Sequence, residues 1–72
     1  MTRSEHMAWC KQRALEYVEV DDPSQAVASM LSDLGKHEET AKVTRMGFAL
    51  TMIDMDIHTD TAKARKWIEG FN

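Results

Sequence analysis

Two sets of side chains in this sequence have the chemistry of metal ligands, and one is a histidine with a cysteine. His6 and Cys10 are four residues apart, so a helix places both on one face, as in many zinc sites. A structural zinc ion needs four ligands, and His37 and His58 are the other nitrogen donors. Because Cys10 also falls on an apolar helical stripe, the sequence favours a buried, unreactive cysteine over a zinc ligand.

The second set is the acidic segment from Asp54 to Asp60, which resembles the start of a calcium-binding loop. Counted from Asp54, Thr59 takes the sixth position, where such a loop needs glycine. Arg65 takes the twelfth, where the loop needs glutamate. The segment is better explained as the end of one helix followed by the N-cap of the next. We therefore expect no metal ion and no cofactor.

The sequence shows no pattern typical of a catalytic site. The serines occupy ordinary cap or helix positions, and the three glycines are isolated from one another. There is thus neither a nucleophile elbow nor a glycine-rich phosphate loop. We expect a protein that is not an enzyme, and a small enzyme with an undetected site is the weakest alternative.

The composition is that of a small folded domain. The chain has 72 residues, 43% hydrophobic and 29% charged, with a net charge of −3, which predicts a single helical domain over residues 1–72. So small a core needs well-packed helices or a second copy, which makes a homodimer one alternative. One cysteine, and no apolar run of signal-peptide or membrane-span length, predict a cytoplasmic protein with no membrane contact.

Apolar residues recur at helical spacing along the chain, and no stretch alternates with the period of a strand. Asp22, with Gln25 three residues later, forms a capping-box pattern, and either Ser4 or Thr2 caps the first helix. Gly35 suits a left-handed helix end. We expect an all-α fold, a compact bundle of four short helices in two αα-hairpins. The predicted helices cover residues 4–19, 23–34, 39–55 and 60–71.

The third helix is expected to be the central one, because apolar residues cover a wide arc of it. Met30, Met46 and Met52 are expected to fill the core, whereas a methionine left outside it would offer an adaptable contact surface. The expected buried stripes are Val43, Met46, Leu50, Ile53 and Ile57 in the third helix and Ala64, Trp67, Ile68 and Phe71 in the fourth.

The first and third helices contain similar segments, residues 14–18 (ALEYV) and 49–53 (ALTMI). A spacing near 34 residues is typical of tetratricopeptide-like helix pairs. Two unrelated helix hairpins give the same pattern, and a solenoid normally needs three or more units. The sequence leaves both explanations open.

The charged residues indicate two candidate surfaces. A protein-binding patch would be apolar with a charged rim, and the acidic stretch that joins the first two helices could supply that rim. Its candidate residues are Glu16, Glu19 and Asp21. A basic cluster on the last helix is the alternative, as a phosphate-contacting face for nucleic acid. Its residues are Lys63, Arg65 and Lys66. The net charge of −3 and the lack of a wider basic surface favour a protein partner over nucleic acid.

Five stretches spread over most of the chain carry a family resemblance: residues 1–7 (MTRSEHM), 13–18 (RALEYV), 28–30 (ASM), 33–37 (DLGKH) and 68–72 (IEGFN). Together they resemble a group of short uncharacterised proteins of tailed bacteriophages. The chain departs from the pattern of that group at Asp21 and Glu38, where the relatives carry glycine and proline. The resemblance implies a phage accessory or virion-associated role and carries over no functional residues.

These features together predict a small helical protein-interaction module. If the chain is phage-encoded, its partner is a host protein or another phage protein, met in the cytoplasm of the host cell. A nucleic-acid-associated regulator that uses the basic C-terminal helix is the alternative function.

Overall fold

The computed structural model describes residues 2–71, which form four α-helices and one 3-10 helix. No strand occurs among these residues, so the all-α bundle is confirmed. None of the helices in this range is both long and apolar enough to cross a membrane. The elements are α1 (Arg3–Glu19), α2 (Pro23–Leu34), α3 (Glu38–Ile53), the 3-10 helix η1 (Met55–His58) and α4 (Thr61–Glu69).

Polar side chains determine where the helices begin. The hydroxyl of Thr2 accepts the N–H of Glu5, whose carboxylate accepts the N–H of Thr2, so Thr2 is the N-cap of α1, and Ser4 is not. Asp22 caps α2 as predicted, by accepting the N–H of Gln25 at 3.2 Å. The remaining α-helices are capped by His37 (α3) and Asp60 (α4).

The backbone takes the left-handed conformation at Asp21, after α1, and the right-handed conformation at Gly35, after α2. Gly35 has a φ of −72°, so the predicted left-handed end of α2 is wrong. The chain continues from it into a further turn, in which the N–H of Lys36 donates to the Asp33 carbonyl (3.1 Å). Asp21 has a φ of 59°, a conformation that aspartate tolerates better than most residues other than glycine.

Helix α2 is the centre of the bundle, because it contacts α1, α3, α4 and η1. Helix α1 packs along one side of it and α4 closes another. The predicted burial of Cys10, Met30, Trp67 and Ile68 is confirmed. The apolar core consists of Met7, Cys10, Ala14, Val18, Ala26, Val27, Met30, Leu34, Ile57, Ala64, Trp67, Ile68 and Phe71.

The prediction that α3 is central and buried over a wide arc is wrong. Its buried residues are Thr40, Gly47 and Thr51, which are small and mostly polar. The expected core methionines Met46 and Met52 are exposed. Exposed fractions along the predicted stripe are 70% for Met46, 46% for Leu50 and 81% for Ile53, and Ile57 is buried but lies in η1.

The physical reason is that α3 packs through small side chains, and that two of them, Thr40 and Thr51, satisfy their hydroxyls by donating to backbone carbonyls. Thr40, Thr44, Gly47 and Thr51 follow the spacing i, i+4, i+7 and i+11, which aligns them on one face of the helix. The hydroxyl of Thr40 donates to the carbonyl of Leu34 at 2.6 Å, and that of Thr51 donates to the carbonyl of Phe48 at 2.6 Å. Helix α3 therefore packs on the bundle through its threonine–glycine stripe and leaves its large apolar side chains outside.

Candidate protein-binding groove

Helices α3 and α4 do not pack directly against each other, whereas α1 and α2 do. Among the described residues, no Cα atom of α3 lies within 8 Å of one in α4. Two aromatic side chains bridge the gap. The indole N–H of Trp67 donates to the carbonyl of Gly47 at 3.2 Å, and the ring of Phe71 lies edge-on to Trp67, with centroids 5.0 Å apart.

Gly47 is required for this bridge. A Cβ atom at this position would lie 2.5 Å from Cζ of Phe71, so any larger residue would displace the ring. The close approach lets Phe71, which follows the end of α4, turn back onto α3 and stay buried. The bridge thus fixes the two helices at a distance that leaves a groove between them.

The groove runs along α3 with α4 as its second wall. Its two halves share Leu50, Lys66 and Trp67, and each encloses a volume of roughly 370–380 Å³. Most of its surface is apolar, and Lys66 is a cation on its wall. The first half is lined by Val43, Met46, Gly47, Leu50, Lys66, Trp67, Gly70 and Phe71, and the second by Leu50, Ile53, Asp54, Ile57, Lys63, Lys66 and Trp67.

Large apolar side chains remain exposed beside the groove. We call this surface the outer face of α3, and it consists of Met46, Phe48, Leu50, Met52 and Ile53. Met55, the first residue of η1, extends it at 65% exposure. Met46, Leu50 and Ile53 follow the spacing i, i+4 and i+7 and so form one stripe at the groove, whereas Phe48 and Met52 lie further round the helix. Single exposed apolar residues are common on any protein, but such a stripe is typical of an interaction site. Tyr17 and Val20, beside the acidic linker, are also exposed, but the outer face of α3 has more exposed apolar residues.

Three basic residues beside this surface have no ion-pair partner. Lys42 and Arg45 are exposed residues of α3 just before Met46, and Lys66 lines the groove from α4. Within residues 2–71, no carboxylate lies within ion-pairing distance of any of the three. The remaining basic residues all have interactions within the protein: Arg3, Lys11, Arg13, Lys36, Lys63 and Arg65.

The three residues of the predicted basic cluster all lie on α4 but differ in their partners. Lys63 pairs with Asp54 (3.4 Å) and Asp56 (3.2 Å), and the hydrogen bond from Asp56 and the charge of Asp54 raise the pKa of Lys63. Arg65 lies 3.8 Å from Glu19. Of the three, only Lys66 has no partner of this kind among the described residues. Two of the three cations are thus already paired with carboxylates of the described chain, and one is not.

Two residues of the predicted acidic rim connect the end of α1 and the linker after it to α4. Glu16, Glu19 and Asp21 are all exposed, as a binding rim requires. Glu19 approaches Arg65, and the hydroxyl of Thr61 donates to the carboxylate of Asp21. None of the three acidic residues lines the groove.

A buried carboxylate, Asp33, holds a polar cluster on the α1–α2 side of the protein. Its side chain is 2% exposed and accepts hydrogen bonds from Arg13 (2.8 Å), Lys36 (3.0 Å) and Ser29 (3.4 Å). Burial by itself raises the pKa of Asp33, but the hydrogen bonds and charges of Lys36 and Arg13 outweigh it, so the pKa lies below its usual value. Asp33 stays ionised near neutral pH and anchors α1 to the end of α2.

His6 and Cys10, for which the sequence favours a structural role over zinc binding, are held within the α1–α2 side of the protein. Nε2 of His6 lies 2.8 Å from the Asp33 carbonyl oxygen, and its ring stacks on His37 at 5.1 Å. Cys10 is buried, and burial, then the charge of Asp33, raises the pKa of its thiol to about 11. In residues 2–71, no three histidine, cysteine or acidic side chains come together as metal ligands would. The calcium-loop candidate from Asp54 forms the cap and body of η1.

The groove itself was not predicted from the sequence, although one signal for it was present. The stripe Thr40, Thr44, Gly47 and Thr51 keeps helical spacing as regularly as the apolar stripe does. When one face of a helix carries small residues and another carries large apolar residues, the sequence does not say which of the two faces is buried. Helical periodicity identifies the faces of a helix but does not say which neighbour each one meets.

Comparisons of the chain with protein-family models, curated proteins and solved structures found no match to any of them. The candidate site therefore depends on its geometry alone.

Proposed function

We propose that this protein is a small helical protein-interaction module that binds its partner through the outer face of α3 and the adjoining groove. The observation that carries the proposal is the exposure of Met46, Leu50 and Ile53 on a helix whose buried stripe is threonine and glycine. Folding gains little from side chains that remain in water. Contact with another protein would remove these side chains from water.

The proposal extends to the setting in which the protein acts. The resemblance to short bacteriophage proteins supports an accessory protein that works in the cytoplasm of an infected host. Its partner would then be a host protein or another phage protein. A second copy of the chain is the remaining alternative, since a domain this small gains stability from a dimer interface.

Two matched variants test whether the outer face is the contact surface. Ile53→Glu places a charge on the outer face at a side chain that is 81% exposed. Val20→Glu does the same at the end of α1, at 70% exposure. Both positions lie at a helix C-terminus, so any unfavourable interaction with the helix dipole is shared. Tagged wild-type and variant proteins would be expressed in the native host and their retained proteins identified by mass spectrometry.

We expect wild type and Val20→Glu to retain a partner protein that Ile53→Glu does not retain. Circular dichroism would establish that both variants keep the helical content of wild type. Retention of the same proteins at the same level by all three would contradict the proposal, since the outer face would then take no part in binding.

A further inference from the structure

We infer that the groove between α3 and α4 takes one amphipathic helix of a partner protein, and that the apolar side of this helix is bordered by aspartate or glutamate residues. The inference rests on the proposed function and specifies the chemistry of the partner. It depends on the length of the groove, on the aromatic floor of the groove and on the three unpaired cations.

The dimensions of the groove fit a helix. Its α3 wall extends from Val43 to Ile53, ten residue steps of a helix, or roughly 15 Å. That length accommodates about three turns of a partner helix, which would present apolar residues at i, i+3 or i+4, and i+7. The floor is formed by Trp67 and Phe71, which are 8% and 9% exposed and hold each other edge-on. Such a recessed aromatic floor favours inserted side chains over a flat contact.

The charges determine which kind of helix fits. Lys42 and Arg45 precede the apolar part of the outer face, and Lys66 stands on the α4 wall. Among the described residues, the side chains of these three basic residues make neither an ion pair nor a hydrogen bond, while Lys63 on the same groove already binds Asp54 and Asp56. Acidic residues on both borders of a partner helix would complement them.

The same charges disfavour a second copy of the chain. A two-fold dimer brings identical surfaces together, so Lys42, Arg45 and Lys66 of each copy would approach those of the other. Asp54, the one carboxylate among residues 2–71 that line the groove, is held by Lys63. A lipid surface is also a poor fit, because it would meet the protruding Ile53 and leave the recessed floor uncovered.

Model peptides test the inference directly. Three synthetic amphipathic peptides, each of 16 residues like α3 itself, would share one leucine stripe and differ at its borders. The borders would carry glutamate, glutamine or lysine. Fluorescence anisotropy of labelled peptides would give Kd values for the full chain at low and at physiological salt.

The glutamate peptide should bind about tenfold more tightly than the glutamine peptide, and the lysine peptide most weakly. The preference should shrink as salt rises, because exposed charges are screened. Lys66→Gln should weaken the glutamate peptide about threefold and leave the glutamine peptide unchanged. Arg65→Gln removes the same charge from the adjacent position of α4 and should change neither. The triple variant Lys42→Gln, Arg45→Gln, Lys66→Gln should abolish the preference.

The outcomes separate this inference from the proposed function. Equal binding of the glutamate and glutamine peptides, with both lost in Ile53→Glu, would overturn the acidic border while leaving the contact surface in place. Binding that Ile53→Glu does not change would overturn both. Three results would overturn the inference of a helical partner. The first is that none of the three peptides binds, and the second is tighter binding to anionic phospholipid vesicles. The third is a dimer in analytical ultracentrifugation that Ile53→Glu dissociates and Val20→Glu does not.

Discussion

At the scale of single residues, Asp33 shows how a small protein keeps a charge in its interior. The carboxylate is almost fully buried, yet three side chains donate to it, and two of them are cations whose ends remain in water. A lone buried carboxylate would be strongly destabilising, whereas a fully hydrogen-bonded one can anchor neighbouring helices. Here it ties α1, through Arg13, to the turn that follows α2, through Lys36.

The protonation state of Asp33 should make stability depend on pH. Its pKa in the folded state lies below the unfolded value of about 3.9, so the ionised form contributes stability above about pH 4. That contribution disappears as the pH falls through the folded-state pKa. Asp33→Asn should therefore lower the free energy of unfolding by about 1–3 kcal/mol at pH 7, and the difference from wild type should narrow towards pH 3.

Urea unfolding at a series of pH values, followed by circular dichroism, would measure this effect. Glu16→Gln serves as the control, because it neutralises an exposed carboxylate and should change stability by less than about 0.5 kcal/mol. A constant difference between Asp33→Asn and wild type from pH 7 to pH 3 would show that the ion pairs of Asp33 do not stabilise the fold.

At the scale of elements, α3 shows what the sequence could and could not predict. The existence of all four helices, most of their bounds and the burial of Trp67 on α4 follow from periodicity and cap residues. The orientation of α3 does not. Whether its threonine–glycine stripe or its apolar stripe is buried depends on Phe71, which meets Gly47 across the bundle and lies 24 positions away in sequence. A contact of that kind is invisible to any local pattern.

The threonines of the buried stripe should respond differently to the same substitution. The hydroxyl of Thr44 is buried and has no hydrogen-bond partner among the described residues. Thr44→Val removes an unsatisfied polar group, so it should be neutral or raise the free energy of unfolding by up to about 1 kcal/mol. Thr40→Val removes a hydroxyl that donates to the carbonyl oxygens of Leu34 and His37, and should cost about 1–3 kcal/mol.

Chemical unfolding of the two valine variants gives a direct comparison, since both exchange one β-branched residue for another in the same helix. Equal destabilisation by the two changes would mean that the hydroxyl of Thr44 has a partner, such as a buried water molecule, and that the stripe is uniformly satisfied.

At the scale of the whole molecule, α4 closes the bundle through one aromatic residue. Trp67 contacts the core, meets Phe71 edge-on and donates to the backbone of α3 at Gly47. Trp67→Ala should cost about 3 kcal/mol or more, a large part of the stability of a domain this size. Phe48→Ala removes an aromatic ring that is 55% exposed and should cost less than about 0.5 kcal/mol.

Thermal unfolding monitored by circular dichroism would distinguish the two alanine variants. If Trp67→Ala left the midpoint unchanged, α4 would not contribute to the closed core, and the groove would lose its fixed second wall. A fall of the midpoint in Phe48→Ala as large as in Trp67→Ala would show that the outer face of α3 does contribute to folding.

The division of α3 between a folding side and an outward side has a consequence for evolution. Residues such as Met46 and Ile53 are not needed to keep the helix on the bundle, so substitutions there can alter what the protein recognises without first passing through an unfolded form. The opposite side, from Thr40 to Thr51, has no such freedom, because each small residue there is surrounded by neighbours. A lineage under pressure from a changing partner could therefore diversify one side of a single helix quickly while the other stayed nearly constant.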